Sequence, residues 1–456
     1  MSSVFRNLPS LSELLESPPL KRMLDSASHN AVVTGVQNFL DQVRGEIRAA
    51  AEHAPNVSDL AERIAQWIAS GQSHGTGPMV NATGVLLAWE LGGVPLAPLA
   101  IDRMAMVAAG YCGLTTSVGS ARLPSLAAAE AALARLVGAE AAMAVSGEAA
   151  ALMLALSVAT GREALVARSD VADVGRTPLT TICQQSGVRL REVGATHRTT
   201  PEDFRDAFHA DSAAVLRVVS NRFQISGDFA EPSLEDLIAT AHRRNLPCIV
   251  SLESGALVDY SQYGLRQLAV PQAIAAGADL VVFAGDQLMG GPRAGLIVGR
   301  RTLIQQLRHR PLAGLLGVSK CTLAALEATL DLYAEPKRLE ETLPIVQLLS
   351  TSLENLRQRA ERLAPQIRAM ENVADAVVEE ANACLVVDVS GQQVPSCRIC
   401  VTPRHGDAQR MAEQLRHGSP SVAAIAGANR VELDLRAVAP AEDERLVEAF
   451  RNLSNN

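Results

Sequence analysis

Lysine is nearly absent from this sequence. The chain has 456 residues and 41 Lys and Arg residues in total, but only Lys21, Lys320 and Lys337 are lysines. A lysine amine is the group that forms an imine with a carbonyl cofactor or substrate. Any chemistry of that kind therefore has three candidate residues in the whole chain.

Features typical of membrane, secreted and nucleic-acid-binding proteins are missing as well. No run of eighteen apolar residues occurs, and the N-terminal MSSVFRNLPSLSELL lacks the layout of a secretion signal. The net charge is −8 without a basic block, and residues 1–75 carry six Lys or Arg against eight Asp or Glu. We therefore expect a cytoplasmic protein with no membrane partner, and the charge alone does not indicate nucleic-acid binding.

Cysteine usage indicates neither disulfides nor a metal. The seven cysteines are scattered and odd in number, which argues against a disulfide framework. Cys397 and Cys400 have CxxC spacing, but the apolar stretch around them is strand-like, and residues three apart on a strand face opposite sides. A zinc site of this kind also needs a second pair of ligands. No metal site is predicted.

The order of the apolar patterns predicts three domains. Residues 1–75 form a helical N-terminal domain, followed by the glycine-rich linker SGQSHGTGP. Residues 80–335 alternate between strand-like and helical patterns, and residues 336–456 form a smaller α/β domain in which one long helix precedes short strands. In the first domain Ser10 or Ser12 offers a helix cap, and one helix face carries Val33, Val36, Phe39, Leu40 and Val43.

The middle domain is expected to contain a mainly parallel sheet with helices on both faces. Its strands are predicted over residues 163–168, 188–193, 213–219, 247–250 and 278–283, with helical patterns between them. In such sheets, ligands bind beyond the carboxyl ends of the strands. Ser251 and Gln287 directly follow predicted strands, so both are expected at that edge.

The segment FAGDQLMGGPRAGLIVG, residues 283–299, predicts the end of a buried strand, a glycine-rich turn and a second strand. Such a turn holds the side chain of residue 287 at the mouth of the sheet. The residue there is Gln287, whose amide is not a useful nucleophile and cannot form an imine.

Several motifs together resemble one known family, the bacterial selenocysteine synthases, or L-seryl-tRNA(Sec) selenium transferases. The motifs are VNATGVLL (80–87), EVGATHRT (192–199), SGALVDYSQYGL (254–265), GDQLMGGPRAGLIVG (285–299) and VELDLR (431–436). The resemblance covers nearly the whole chain. It implies a fold-type-I pyridoxal phosphate (PLP) architecture and ring-shaped oligomers. It also implies an enzyme that uses selenophosphate to convert seryl-tRNA into selenocysteinyl-tRNA.

Two residues that this chemistry needs are replaced. The PLP enzymes require a lysine for the imine and a carboxylate that keeps the pyridine nitrogen protonated. The resemblance places the lysine at Gln287 and the aspartate at Ser251. Glutamine cannot form an imine and serine cannot supply the negative charge, so the chain is predicted to bind no PLP.

Positions that the resemblance assigns to anion binding differ too. Arginines of the family correspond to four residues here: Gly93, Gly314, Gly317 and Ile425. None of these can replace the fork of a guanidinium. Glu148 lies where a helix start should meet the phosphate of PLP, and its carboxylate would compete for that positive end. Glu148 can also be read as a favourable residue of the first helical turn.

Other residues at family positions offer partial alternatives. Lys320 is the candidate for an alternative imine, although the family already has a lysine there. Arg122, Arg168 and Arg198 could bind an anion, but surface or structural pairing is the simpler interpretation. His197 has no partner cysteine or second histidine near it in the sequence, which favours a structural role.

Three functions are compatible with this pattern. The first is a non-catalytic paralogue that keeps the fold and the assembly surfaces and binds a protein or RNA partner. The second is a selenium transferase or related PLP enzyme with an atypical site, which the intact N-terminal domain favours. The third is a binding protein for another small molecule. Loss of both cofactor anchors favours the first, as a homo-oligomer whose possible partners include tRNA.

Overall fold

A computed structural model of the chain describes residues 9–24, 77–112, 117–118, 121–122, 126–386 and 392–453, and also 32–33, 36–37, 39–40, 60–61 and 64–65. The chain separates into two compact units. One comprises Met1–Met79 with His417–Ser421, and the other Val80–Arg416 with Val422–Asn456. The boundaries of the three sequence domains stay a prediction.

The helices within the described residues are mostly short. Their bounds are Leu11–Leu15, Pro18–Leu24, Pro98–Ala108, Leu126–Val137, Glu148–Leu156, Leu179–Gln185, Pro201–Ala207, Leu234–His242, Val270–Ala275, Arg301–Arg308, Pro311–Leu315, Lys320–Leu332, Leu339–Thr342, Pro344–Ser350, Leu353–Arg368, Ala408–His417 and Asp443–Asn452. No helix in the part of the chain that the structure describes is long and apolar enough to cross a bilayer.

The first unit contains a small helical core. Ser10 begins the helix Leu11–Leu15, because its hydroxyl accepts from the Glu13 N–H at 3.3 Å while the Glu13 carboxylate accepts from the Ser10 N–H at 2.8 Å. The predicted cap at Ser10 is therefore confirmed. Of the predicted apolar face, Val36, Phe39 and Leu40 are buried and Val33 is half-buried, whereas Val43 lies outside the described residues.

The second unit is built around a seven-stranded sheet. We number its strands along the chain as β1 (Ala141–Val145), β2 (Glu163–Ala167), β3 (Arg189–Val193), β4 (Ser212–Val219), β5 (Cys248–Leu252), β6 (Leu280–Ala284) and β7 (Gly295–Gly299). Their spatial order is β1-β7-β6-β5-β4-β2-β3. Every pairing is parallel except those of β7, which runs antiparallel to β6 and β1. The predicted mainly parallel sheet is confirmed.

Both faces of the sheet are buried, as the nearly continuous apolar runs of its strands predict. Along β6, Val281 and Phe283 belong to one hydrophobic cluster, while Leu280 and Val282 belong to the cluster on the opposite face. The second cluster also includes Leu152 of the helix Glu148–Leu156. Helices therefore cover both sides, and the carboxyl ends of the parallel strands form an open edge.

The C-terminal part of the second unit contains a four-stranded antiparallel sheet. Its strands are β8 (Val373–Cys384), β9 (Gln393–Pro403), β10 (Ile425–Ala426) and β11 (Val431–Asp434), in the spatial order β8-β9-β11-β10. The expectation of short strands is wrong for β8 and β9, which have 12 and 11 residues and form a long hairpin. Cys397 and Cys400 are both buried in β9.

The long helix expected before these strands is divided. Helices Pro344–Ser350 and Leu353–Arg368 are separated at Thr351, whose backbone is not helical. Ser352 then caps the second helix, because its hydroxyl accepts from the Asn355 N–H at 3.2 Å. The side chain therefore favours a new helix start over a continuous helix.

Candidate functional site

A cavity of about 360 Å³ lies at the carboxyl edge of the large sheet. Its charged lining residues come from segments far apart in the chain: Glu148, Arg176, Arg222, Glu253, Asp286 and Arg293. Glu148, Arg222, Glu253 and Asp286 follow β1, β4, β5 and β6, respectively. The fold therefore places this site where parallel sheets bind their ligands.

The turn after β6 presents Gln287 to this cavity and is tightly held. Tyr260 donates its hydroxyl to the Leu288 carbonyl at 2.6 Å, and Tyr333 donates to the Met289 carbonyl at 2.9 Å. Gly290 has a φ of 66°, a left-handed conformation that favours glycine. The backbone of the turn is thus fixed from two sides, as the glycine-rich motif predicts.

Two backbones approach closely at Gly147, one of the residues that line the cavity. A Cβ atom added to Gly295 would lie 2.0 Å from the carbonyl oxygen of Gly147. Only glycine can occupy such a position, where no side chain fits. The start of β7 is therefore packed directly against the residue that precedes the helix Glu148–Leu156.

Glu148 is the first residue of that helix and is 6% exposed. Its Oε1 atom is buried and has no hydrogen-bond partner. Burial raises the pKa of the Glu148 carboxyl well above its usual range, the charges of Glu253 and Asp286 raise it further, and Arg222 lowers it. A helix start normally favours a carboxylate, so burial outweighs the helix dipole here. The two interpretations of Glu148, first-turn residue and cavity carboxylate, both apply.

Glu253 is a second buried carboxylate, which the sequence did not identify as a site residue. Its oxygens accept from the Ser220 hydroxyl at 2.9 Å, from the Asn221 N–H at 3.0 Å and from Arg222 Nε. Glu253 is therefore fully paired, although only 4% exposed. An acidic residue directly after the buried strand segment CIVSL was the available signal.

Asp286 and Arg293 are also new to the site. Burial raises the pKa of the Asp286 carboxyl, and the charge of Arg293 lowers it. Arg293 itself is exposed. At the cavity mouth, the exposed guanidinium of Arg176 lies 3.4 Å from the centroid of the Trp89 ring. The carboxylates of Glu148 and Glu253 thus lie deep, while two arginines lie at the rim.

Ser251 lies inside β5 rather than directly after it, so that expectation is wrong. The strand extends to Leu252, because Ser251 pairs with Val218 of β4 and Val282 of β6. Ser251 is 1% exposed, and its hydroxyl oxygen has no hydrogen-bond partner. Few buried hydroxyl groups in folded proteins lack a hydrogen-bond partner, so Ser251 is an exception.

The four positions that the resemblance gives to arginines do not all lie at the cavity. Gly93 lines the cavity, with a φ of 91°. Gly314, Gly317 and Ile425 are exposed and, in the described part of the chain, are not among the lining residues. Their assignment to the pocket stays a prediction.

None of the three lysines lines the cavity. Lys320 donates from Nζ to the Gly110 carbonyl at 2.5 Å, and Lys21 pairs with Glu16. Lys337 is exposed in the segment Pro336–Arg338. No lysine amine is thus positioned to form an imine in this cavity.

The remaining candidates lie outside the cavity lining. Arg168 pairs with Glu192 at 3.0 Å on the surface, which agrees with a structural role. His197 is exposed, and its carbonyl accepts from the Ala230 N–H. Arg198 forms a backbone bridge with Ala230, while the side chain of Arg122 lies outside the described residues. Among the described residues, no group of three or more His, Cys, Asp or Glu side chains could hold a metal ion.

The cavity does not offer the groups that covalently held PLP requires. It lacks a lysine, and Glu148 brings a carboxylate to the helix start that would have to receive the phosphate. The serine at the position that the resemblance gives to the aspartate is neutral and buried. The residues present therefore do not fit the cofactor.

The fold is of the fold-type-I class of α/β proteins, as the resemblance implies. One solved structure, of D-glucosaminate-6-phosphate ammonia-lyase, matches with a TM-score of 0.61 and 22% identity, covering 84% of this chain and 97% of that one. Residues 79–439 match the L-seryl-tRNA selenium transferase family, and residues 5–44 match the selenocysteine synthase N-terminal family. The chain belongs to the L-seryl-tRNA selenium transferase family.

Relatives match over most or all of the chain. The L-seryl-tRNA(Sec) selenium transferase of Geobacter sulfurreducens is 32% identical, over 99% of this chain and 100% of the relative. That of Moorella thermoacetica is 33% identical over 98% and 96%, and that of Desulfomicrobium baculatum is 36% identical over 83% of each. The resemblance that the motifs indicate is confirmed.

Proposed function

We propose that this protein is a non-catalytic member of the selenium transferase family. The proposal rests on one observation, that no lysine is among the residues that line the cavity. Gln287 occupies the position that the resemblance gives to the imine-forming lysine, and the three lysines of the chain lie elsewhere. Without that amine the cofactor has no covalent anchor, and Ser251 supplies no charge to the ring nitrogen.

Spectroscopy of the purified protein tests this proposal. We expect no visible imine absorbance, either as isolated or after incubation with excess PLP. Borohydride reduction followed by peptide mapping should find no PLP-modified lysine. Conversion of seryl-tRNA(Sec) with selenophosphate should also be absent. An imine trapped on any lysine peptide, or selenium transfer by the purified chain, would establish the alternative, an active transferase with an atypical site.

The same proposal includes assembly into a homo-oligomer. The helix Pro98–Ala108 packs Ala100 against Ala325 and Ala328, but leaves Leu99 41%, Ile101 47% and Met106 72% exposed. Large apolar side chains exposed together on one helix support an interface, because water contact with them is unfavourable. A second copy of the chain fits this surface, since the family resemblance implies oligomers.

A protein partner is better supported than RNA for the function of the assembly. The net charge of the chain is −8, and residues 1–75 have more acidic than basic residues. Binding to tRNA depends on neutralising phosphates, which this balance does not favour. A filter-binding titration with selenocysteine tRNA over a range of salt concentrations tests this choice. We expect no submicromolar, salt-sensitive binding.

A further inference from the structure

Two buried acidic residues line the cavity described above. Glu148 and Glu253 are the most buried of its ionisable lining residues, at 6% and 4% exposed. Such burial of carboxylates is costly unless each one gains a partner. The partners of the two residues therefore decide what the cavity can hold.

Glu253 needs nothing further, because Ser220, Asn221 and Arg222 already donate to it. Glu148 is different, because it lines the cavity and its buried Oε1 atom has no hydrogen-bond partner. Asp286 lines the same cavity, and its charge is close enough to raise the pKa of Glu148. Two carboxyl groups thus converge on one space, and one of them lacks a donor.

The arginines that line the cavity do not supply the missing donor to Glu148 Oε1. Arg222 is committed to Glu253, and Arg176 lies over Trp89 at the mouth. Arg293, the third, is exposed. A ligand that fits this distribution has a positive end for the interior, and the rim accommodates its neutral or negative part.

We propose that the cavity binds a small organic cation, with an ammonium or guanidinium group donating to Glu148 and Asp286. The site belongs to the non-catalytic function proposed above, since it uses residues that stand in place of the phosphate cradle. A volume of about 360 Å³ is within the range of small-molecule sites. A compact metal ion is not favoured, because the described residues include no group of three or more His, Cys, Asp or Glu that could hold one.

Binding is coupled to release of a proton. In the free protein, burial and the charges of Glu253 and Asp286 raise the pKa of Glu148 and so favour its neutral form, while Arg222 opposes them. The entering cation favours the carboxylate, so the Glu148 proton leaves to solvent and the ligand's charge balances the new negative charge. Affinity should therefore increase as the pH is raised through the range in which Glu148 titrates.

Calorimetric titration with 4-guanidinobutanoate, which carries a guanidinium at one end and a carboxylate at the other, tests the proposal on the full-length protein. We expect saturable binding by the parent, weakened about tenfold or more in Glu148→Gln, because a hydrogen bond to a charged group is lost. Glu90→Gln removes the same charge from an exposed residue near the mouth that does not line the cavity, and should bind like the parent. Repeating the titration in buffers of different ionisation heat should show proton release in the parent but not in Glu148→Gln.

Four results would overturn the proposal. Three concern 4-guanidinobutanoate: no binding by the folded parent, equal binding by parent and Glu148→Gln, or equal loss in Glu90→Gln. The fourth is tighter binding of inorganic phosphate, the anion probe, than of 4-guanidinobutanoate. A circular dichroism melt of each variant checks that it is folded. PLP is titrated separately, so that imine formation would count against the non-catalytic function while leaving the 4-guanidinobutanoate result to judge the cation site.

Discussion

Glu148 and Glu253 follow different strands, β1 and β5, and face one cavity, but only Glu253 has a cationic partner. Arg222 donates to Glu253, while Oε1 of Glu148 remains unpaired. This asymmetry is the observation on which the proposed cation site rests. Whether PLP binds and whether an organic cation binds are therefore two separate questions.

Introducing a lysine and an aspartate at the positions that the resemblance gives to the cofactor anchors should supply part of the cofactor chemistry. Gln287→Lys replaces one half-buried polar side chain by another at the sheet edge, and we expect it to fold normally. Together with Ser251→Asp it returns the imine former and the carboxylate for the ring nitrogen. We expect weak PLP uptake, seen as visible absorbance and trapped by borohydride at residue 287, but no selenium transfer.

Gln287→Arg is the matched control for that experiment, because it adds a positive charge but cannot form an imine. It should show no reducible adduct. Equal PLP uptake by the parent and the double variant would mean that the cofactor is held in another way. Ser251→Asp alone should be less stable than the parent without PLP, since it places a carboxyl at a position only 1% exposed.

Charge on the exposed face of the helix Pro98–Ala108 should disrupt self-association. Met106 is 72% exposed, so Met106→Glu should leave the fold intact while placing a charge in the proposed interface. We expect sedimentation velocity to detect an oligomer for the parent and a smaller species for Met106→Glu. Met106→Leu keeps the apolar surface and should behave like the parent. A parent that sediments as a monomer of 48.2 kDa would contradict the interface itself.

The contact between Gly295 and Gly147 should be intolerant of a methyl group. Gly295→Ala would place a Cβ atom 2.0 Å from a carbonyl oxygen, which we expect to reduce the free energy of unfolding by ~1–3 kcal/mol or more. Gly314→Ala is the matched control, because nothing lies within 4 Å of its added Cβ atom. In its helix that change should stabilise by about 0.5–1 kcal/mol, and urea unfolding measures both effects. Similar stability of the two variants would refute the close packing described for β7.

Titration of Asp170 should make its contribution to the free energy of unfolding decrease as the pH rises. Burial raises the pKa of Asp170 from 3.8 to about 6, while Arg217 lowers it and Glu231 raises it. The folded protein therefore holds this proton more tightly than the unfolded chain does. The resulting stability is fully present below pH 3.8 and is lost as the pH rises through about 6. This contribution is on the order of 3 kcal/mol.

Urea unfolding of the parent and Asp170→Asn between pH 4 and pH 7 measures that contribution. The variant should have the flatter profile, because its amide does not titrate. Asp173→Asn, a change at a nearby exposed aspartate, should follow the parent. Parallel profiles for Asp170→Asn and the parent would show that Asp170 does not titrate differently in the folded state.

The sequence by itself determined the sheet, its ligand-binding edge and the family. Apolar runs separated by helical patterns specify buried parallel strands locally, and the predicted strands correspond to β2 through β6 within two residues at each end. The glycine-rich motif likewise predicted the turn at Gln287, because backbone geometry restricts which residues can form it. The ends of the strands were predicted less accurately than their positions. Ser251 was expected after β5 but lies within it, because pairing with both neighbouring strands extends β5 beyond its most apolar residues.

Only the tertiary structure decided which charged groups meet in the site and which of them are paired. Arg222, Glu253 and Asp286 follow three adjacent parallel strands, and β7 enters antiparallel between β6 and β1 to bring Glu148 to the same edge. No local pattern encodes that strand order, so the sequence could not show which carboxylate Arg222 would neutralise. The energy of a buried charge depends on its neighbours in space. For that reason the substitutions could be found in the sequence, whereas the unpaired carboxylate of Glu148 could be found only in the fold.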